Sequence, residues 1–257
     1  MNTTVENPVK VERREGVWIV RLDRPKANVI DAAMTDALCR VFVEARETAG
    51  LKVIVLSHSG PHFSFGASVQ EHLPETVAGM LRGFHGLFRA IAASGVPVLA
   101  AVRGQCLGGG LELASFCTRL FAAPDAKLGQ PEIVLGVFAP VASLVLPDRI
   151  GRAAAEDLCL SGRSVGAEEA LRMGLVDELA DDPEAAALKY ASEHLLRHSA
   201  ASLAHAFKAL RGRHHEHFFA ELDRLEASYL RELMATHDAT EGIRAFLEKR
   251  APNWSNS

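Results

Sequence analysis

The chain has 257 residues, 48% of them hydrophobic and 23% charged, with a formal net charge of −4. That length supplies one large domain or a core with a helical appendage, and the apolar share is enough for a sizeable core. The acidic balance argues against a general nucleic-acid surface, no apolar run reaches membrane-spanning length, and the opening Met1-Asn2-Thr3-Thr4-Val5-Glu6-Asn7 lacks the basic-then-apolar order of a secretory leader.

In chain order, Val17–Leu22 is rich in β-formers, and Asp23-Arg24-Pro25-Lys26 stops it. Residues 31–47 read as a helix capped by Asp31, with Met34, Leu38, Val41, Phe42 and Ala45 at helical spacing. A short buried strand at 53–56 precedes a second amphipathic helix at 76–93, striped by Val77, Leu81, Phe84, Leu87, Phe88 and Ile91. The strand at 96–102 runs into Gly104-Gln105-Cys106-Leu107-Gly108-Gly109-Gly110-Leu111-Glu112, where a helix should open near Gly109, and 120–123 reads as a further strand. This alternation predicts an α/β fold with crossover helices. The last hundred residues read as helices at 152–160, 167–172, 183–197, 199–211, 216–235 and 240–249, followed by a short, loose tail at 251–257. Cys39, Cys106, Cys117 and Cys159 have no paired spacing and sit in apolar surroundings, which predicts free buried thiols and a reducing compartment.

Three segments carry chemistry. Glycines at 108–110 let a backbone turn closely at a helix start, where unpaired N–H groups sit at the positive dipole end and suit an oxyanion. The same glycines read equally as a tight strand–helix junction. Glu112 lies in an apolar helix, which suits either a proton-transfer group with a raised pKa or a structural carboxylate paired with a cation such as Arg119. Glu132 follows Gln130-Pro131, a fixed turn that aims a carboxylate into a pocket or places an acid at a helix N-terminus. The third segment is Phe63-Ser64-Phe65-Gly66-Ala67-Ser68.

Together these segments resemble the enoyl-CoA hydratase/isomerase (crotonase) family, from about residue 17 to 176 and again at 242–250. The resemblance implies an α/β, crotonase-like spiral core of strand–strand–helix units over 1–195. It also implies a helical C-terminal region, 196–257, used in packing and oligomerisation. The Ala67 and Gly109 N–H groups would form the oxyanion hole, with Glu112 and Glu132 as the catalytic carboxylates, their separate roles unassigned. Lys26, Phe65 and Lys249 would contact coenzyme A, although both lysines read equally as solvated surface residues. Coenzyme A is then part of the substrate, and neither a metal nor another cofactor is required. The expected partners are an acyl-CoA and further copies of the chain, as trimers or hexamers in the cytoplasm, with no nucleic acid and no membrane.

Three positions depart from the common pattern. Phe65 replaces a small residue, Ser68 replaces an aspartate, and Phe138-Ala139-Pro140-Val141-Ala142-Ser143 replaces a glycine-rich stretch. Phe65, Ser68 and Phe138 are therefore expected to shape the acyl pocket. The changes resemble the branch that hydrates cyclohexa-1,5-diene-1-carbonyl-CoA to 6-hydroxycyclohex-1-ene-1-carbonyl-CoA in benzoyl-CoA breakdown. A 2-enoyl-CoA hydratase, an enoyl-CoA isomerase and a non-enzymatic acyl-CoA or RNA-binding relative are the alternatives. A nicotinamide oxidoreductase is weaker still, because the glycine spacing is not G-x-G-x-x-G. Arg213-His214-His215-Glu216-His217 reads as a solvated helix start rather than a metal cluster. Ser64, Ser68 and His62 lack a nucleophile elbow.

Overall fold

The computed structural model describes residues 7–24 and 26–257. The opening segment up to residue 6, read above against a leader, and Pro25, read above as a strand stop, lie outside the described residues.

Strands β1 (Val9–Arg14) and β2 (Val17–Leu22) form an antiparallel hairpin at the edge of a six-stranded sheet. Its order continues through β3 (Val53–His58), β4 (Val98–Val102), β6 (Arg119–Ala122) and β9 (Glu178–Leu179), all parallel from β2 onward. Parallel strands need crossovers. Helix α1 (Ala32–Glu47) supplies the first and α2 (Val77–Ser94) the second. The Asp31 carboxylate accepts the Met34 N–H at 2.9 Å, the cap that starts α1.

Because side chains alternate across a strand, one sequence run serves two cores. Trp18, Val20, Ile54, Leu56, Val98 and Ala100 pack with the buried faces of α1 and α2. Val17, Val53, Val55, Leu99, Ala101 and Phe121 pack instead with Ala187 and Ala191 of α7 (Pro183–His194). Burial on both faces explains why β3 and β4 read as unbroken apolar runs.

A second, three-stranded sheet positions the chemistry. β5 (Gln105–Leu107) pairs in parallel with β7 (Lys127–Gly129), which pairs antiparallel with β8 (Ser164–Gly166). Helix α3 (Gly109–Phe116) follows β5, and a 3₁₀ turn, Pro131–Leu135, follows β7. The short strands β1, β5, β7, β8 and β9, and helix α4 (Pro140–Ile150), were not among the sequence-based elements.

Helices α5 (Arg152–Ser161) and α6 (Ala167–Arg172) follow as expected. The predicted pair of helices at 199–211 and 216–235 is instead one 32-residue helix, α8 (Ala200–Arg231). Gly212 lowers helix propensity but does not stop the chain here. His215, expected at a solvated helix start, lies mid-helix and stacks on Phe116 at 5.5 Å. Phe218 and Leu222 of the same helix are buried in the main core. Helix α9 (His237–Leu247) closes the chain. The tail, expected to be loose, is tied back: the Ser255 and Asn256 N–H groups both donate to the Asp238 carboxylate, at 2.7 and 2.8 Å. Of the cysteines, Cys106 and Cys117 are buried, Cys39 and Cys159 are half-buried, and all are free. No described helix is long and apolar enough to cross a membrane.

Candidate active site

The pairing of β5 with β7 sets Leu107 beside Gly129, so the two carboxylate-bearing turns leave neighbouring strands at the same level. The Gly108 N–H donates to Gly129 O at 2.9 Å and continues that ladder by one step. With its amide oriented to satisfy both partners, buried Gln130 donates to Gly108 O at 3.0 Å and Gly129 O at 3.1 Å. A third strand-like segment joins from the other side. Ser64 N donates to Gln105 O, and Leu107 N donates to Ser64 O, both at 3.0 Å. The Ser64 hydroxyl donates to Asn28 O and accepts from Gly66 N, which holds the turn into Ala67.

Gly108 requires its glycine twice over. Its φ is +53° with ψ −128°, and a Cβ there would meet Glu132 Oε1 at 2.6 Å. Beyond it, a Cβ on Gly109 would lie 3.1 Å from Ala67 N, so the two backbones approach at touching distance. Gly109 is the first residue of α3, where an N–H has no intrahelical acceptor. Neither its N–H nor that of Ala67 has an acceptor among the described residues. Two unpaired donors thus flank one point at the positive end of a helix.

That point opens into a cavity of about 570 Å³. Its lining includes Ala67, Gly109, Glu112 and Glu132, and is otherwise largely apolar, with Met80, Leu81, Phe84, Leu135 and Phe138 contributing. Glu112 sits in the first turn of α3 and is buried. Its Oε1 accepts the Ala142 N–H at 2.9 Å, so α4 supplies its partner. The cation suggested by sequence, Arg119, faces Glu178 instead. Glu132 stands on the 3₁₀ turn as a half-buried residue, but its Oε2 is buried without a partner. Burial pushes both carboxyls above the ordinary carboxylate range. The backbone N–H groups at Ala142 and Val141 partly offset this for Glu112, whereas the neighbouring Glu112 charge raises Glu132 further. Two such groups in one cavity favour a state with a single shared proton.

The other predicted residues fall around the same opening. Phe65, Ser68 and Phe138 all line the cavity, Phe65 being 45% exposed at its edge. Lys26 is exposed, on a loop joined to Phe65 by the Phe65 N–H donating to Ala27 O at 2.9 Å. Lys249 is exposed two residues beyond Leu247, which lines the cavity with Phe246. Neither lysine is part of the lining. His62 Nδ1 accepts the Gln105 N–H, and Ser64 bonds backbone, so no serine–histidine pair forms. Among the described residues no group of three or more metal-ligating side chains converges.

The sequence reading missed Tyr229 of α8 and His72, both in the lining. Tyr229 lies between Ser228 and Leu230 of a long helix, with nothing local to mark it as facing a site whose glutamates stand at 112 and 132.

Comparison with known proteins agrees with this geometry. The family model for enoyl-CoA hydratase/isomerase matches residues 12–257. The chain is 55% identical to cyclohexa-1,5-dienecarbonyl-CoA hydratase of Thauera aromatica over 97% of its own length and 98% of that protein's. It is 35% identical to a probable enoyl-CoA hydratase of Mycobacterium bovis, over 96% and 98%. Among solved structures, an enoyl-CoA hydratase/isomerase from Pseudoalteromonas atlantica superposes with a TM-score of 0.85 at 26% identity, covering 96% of this chain and all of the other. A putative enoyl-CoA hydratase from Mycobacterium avium paratuberculosis gives 0.86 at 29%, over 96% and 99%. With both carboxylates and both free N–H groups gathered at one cavity of a matching fold, the chain belongs to the enoyl-CoA hydratase/isomerase family.

Proposed function

We propose that the protein adds water to a conjugated cyclic acyl-CoA thioester, converting cyclohexa-1,5-diene-1-carbonyl-CoA to 6-hydroxycyclohex-1-ene-1-carbonyl-CoA. The observation that carries the reaction type is the pair of buried carboxyls sharing one cavity with two unpaired N–H donors. The acyl group rests on the 55% identity to the Thauera aromatica hydratase.

The thioester oxygen sits between the Ala67 and Gly109 N–H groups. Glu112, whose ionised form is favoured by the Ala142 N–H, takes a proton from water. The hydroxide oxygen bonds to the ring carbon β to the carbonyl, and the displaced π electrons move through the ring carbon bearing the acyl group onto the thioester oxygen. The two N–H groups stabilise the resulting dienolate; a single donor of this kind is worth about 3–4 kcal/mol. Glu132, which carries the shared proton, gives it to the far end of the dienolate, and the remaining double bond re-forms beside the thioester. Water is consumed whole, and the pair of carboxyls ends with its single proton moved from Glu132 to Glu112.

Lys26, Phe65 and Lys249 are read as contacts of coenzyme A, with Phe65, Ser68 and Phe138 shaping the acyl end. Assembly as a homotrimer or paired trimers belongs to the same reading, supported by exposed Val134, Phe246 and Trp254, and light scattering tests it. A cytoplasmic location rests on the free thiols.

The test is loss of the substrate's conjugated absorption in the ultraviolet on adding purified protein, the dienoyl thioester giving way to an enoyl one. Fast, selective loss with the cyclic dienoyl-CoA is the expected result. Preference for crotonyl-CoA would overturn the acyl assignment and leave the hydratase chemistry. Inertness on both would overturn the hydratase reading.

A further inference from the structure

Tyr229 poses a question that the proposed chemistry leaves open. Its side chain is 1% exposed, and its hydroxyl is buried with no hydrogen-bond partner. Its ring packs well: it lies tilted on Phe138 at 5.2 Å, and Val77, Leu81, Val137, Ala239 and Ile243 complete the cluster. A phenylalanine would fill this place without stranding a polar atom, because a buried hydroxyl left unpaired weakens a fold. Tyr229 also lines the cavity that holds Glu112 and Glu132. Glu132 Oε2 in the same lining is likewise buried and unpaired. Ser115 Oγ and His215 Nε2 are unpaired too, but neither residue lines that cavity.

A donor and an acceptor left unpaired in one enclosed site are complementary to a ligand with a small polar group between apolar walls. We propose that the Tyr229 hydroxyl is a further catalytic residue, hydrogen-bonding the oxygen that is added to the substrate, first as water and then as the product hydroxyl. Tyr229 gives up no proton: its burial, and the negative charge on the glutamate pair, hold it in the neutral form. Its part is to orient the water whose proton Glu112 removes, and afterwards to retain the new C–O–H group. Both glutamates stand on the β5–β7 side, so a contact from α8 fixes the water from a third direction.

The inference rests on the hydratase reading and goes beyond it in naming a third polar group. Tyr229→Phe removes one atom. Since that atom bonds nothing in the protein, the thermal midpoint should stay the same or rise. The expected catalytic result is a fall in kcat of about three- to tenfold, the range for one neutral hydrogen bond, with KM unchanged. Affinity for 6-hydroxycyclohex-1-ene-1-carbonyl-CoA should fall by a similar factor, while that for cyclohex-1-ene-1-carbonyl-CoA, which lacks the hydroxyl, should not change. Equal change for both thioesters, or a lowered midpoint with unchanged kcat, would overturn the inference in favour of packing alone. Wild-type protein inert on the cyclic diene would overturn the substrate reading instead. The comparison then runs on 3-hydroxybutyryl-CoA against butyryl-CoA, where indifference of Tyr229→Phe would refute the role of the hydroxyl.

Discussion

Glu112 and Glu132 differ in what touches them, and in the proposed mechanism that difference divides their labour. Glu112 has a backbone donor from α4, while Glu132 has a buried oxygen facing the cavity alone. Glu112→Gln and Glu132→Gln should each lower turnover by about 10²- to 10⁴-fold, because both a base and an acid are needed; an isomerase using one carboxyl would be spared by one of the changes. In the proposed mechanism the reactive form carries one proton on the pair. Activity should therefore fall on the acid side, when both are protonated, and on the alkaline side, when both are ionised. Both limbs should lie above the ordinary carboxylate value, since burial raises each group. The same shifts bear on stability. A carboxyl with a raised folded-state pKa contributes fully below its unfolded value and loses that contribution as pH rises through the folded value. Thermal midpoints followed against pH should show Glu132→Gln gaining on the wild type as pH increases.

The element that brings these carboxyls together is the short β5–β7 ladder, and its weak point is Gly108. Gly108→Ala would force a side chain into a Gly-only conformation costing about 1–3 kcal/mol and drive the Glu132 carboxylate aside. Loss of activity well beyond the loss of stability, measured by denaturant melts, is the expected outcome. At this scale the sequence was legible where a pattern is local. The cap and stripe of 31–47 foretold α1 to within a residue, and the glycine cluster foretold the start of α3. Both glutamates, Ala67 and Gly109 were also visible in sequence, as motifs, and the fold gathers them. Strands of two or three residues such as β9 and β7 carry too little periodicity to be seen, because pairing rather than propensity makes them. The stretch 212–215 reads as a gap between two helices, but the packing of His215, Phe218 and Leu222 against the core holds α8 continuous. Tyr229 was illegible because its place in the cavity wall depends on how the far end of α8 packs on Val77, Leu81 and Phe138.

Across the molecule, α8 belongs to the main core as much as to the C-terminal region. Leu222→Ala should cost about 2–5 kcal/mol, seen in urea as one cooperative transition at lower midpoint rather than separate loss of the C-terminal helices. Lys26→Ala, by contrast, should leave stability alone and raise KM for the CoA thioester a few-fold at unchanged kcat, about 0.5–1 kcal/mol for an exposed charge contact. The cavity lining runs from Val29 to Leu247, nearly the whole described chain. During synthesis both glutamates are therefore present long before Tyr229, Phe246 and Leu247, the last pieces of the wall that encloses them. A nascent chain stalled after α7 would carry the full set of carboxyls and backbone donors, yet lack the α8 side chains that complete the main core, and would be chemically silent until α8 and α9 had emerged and docked.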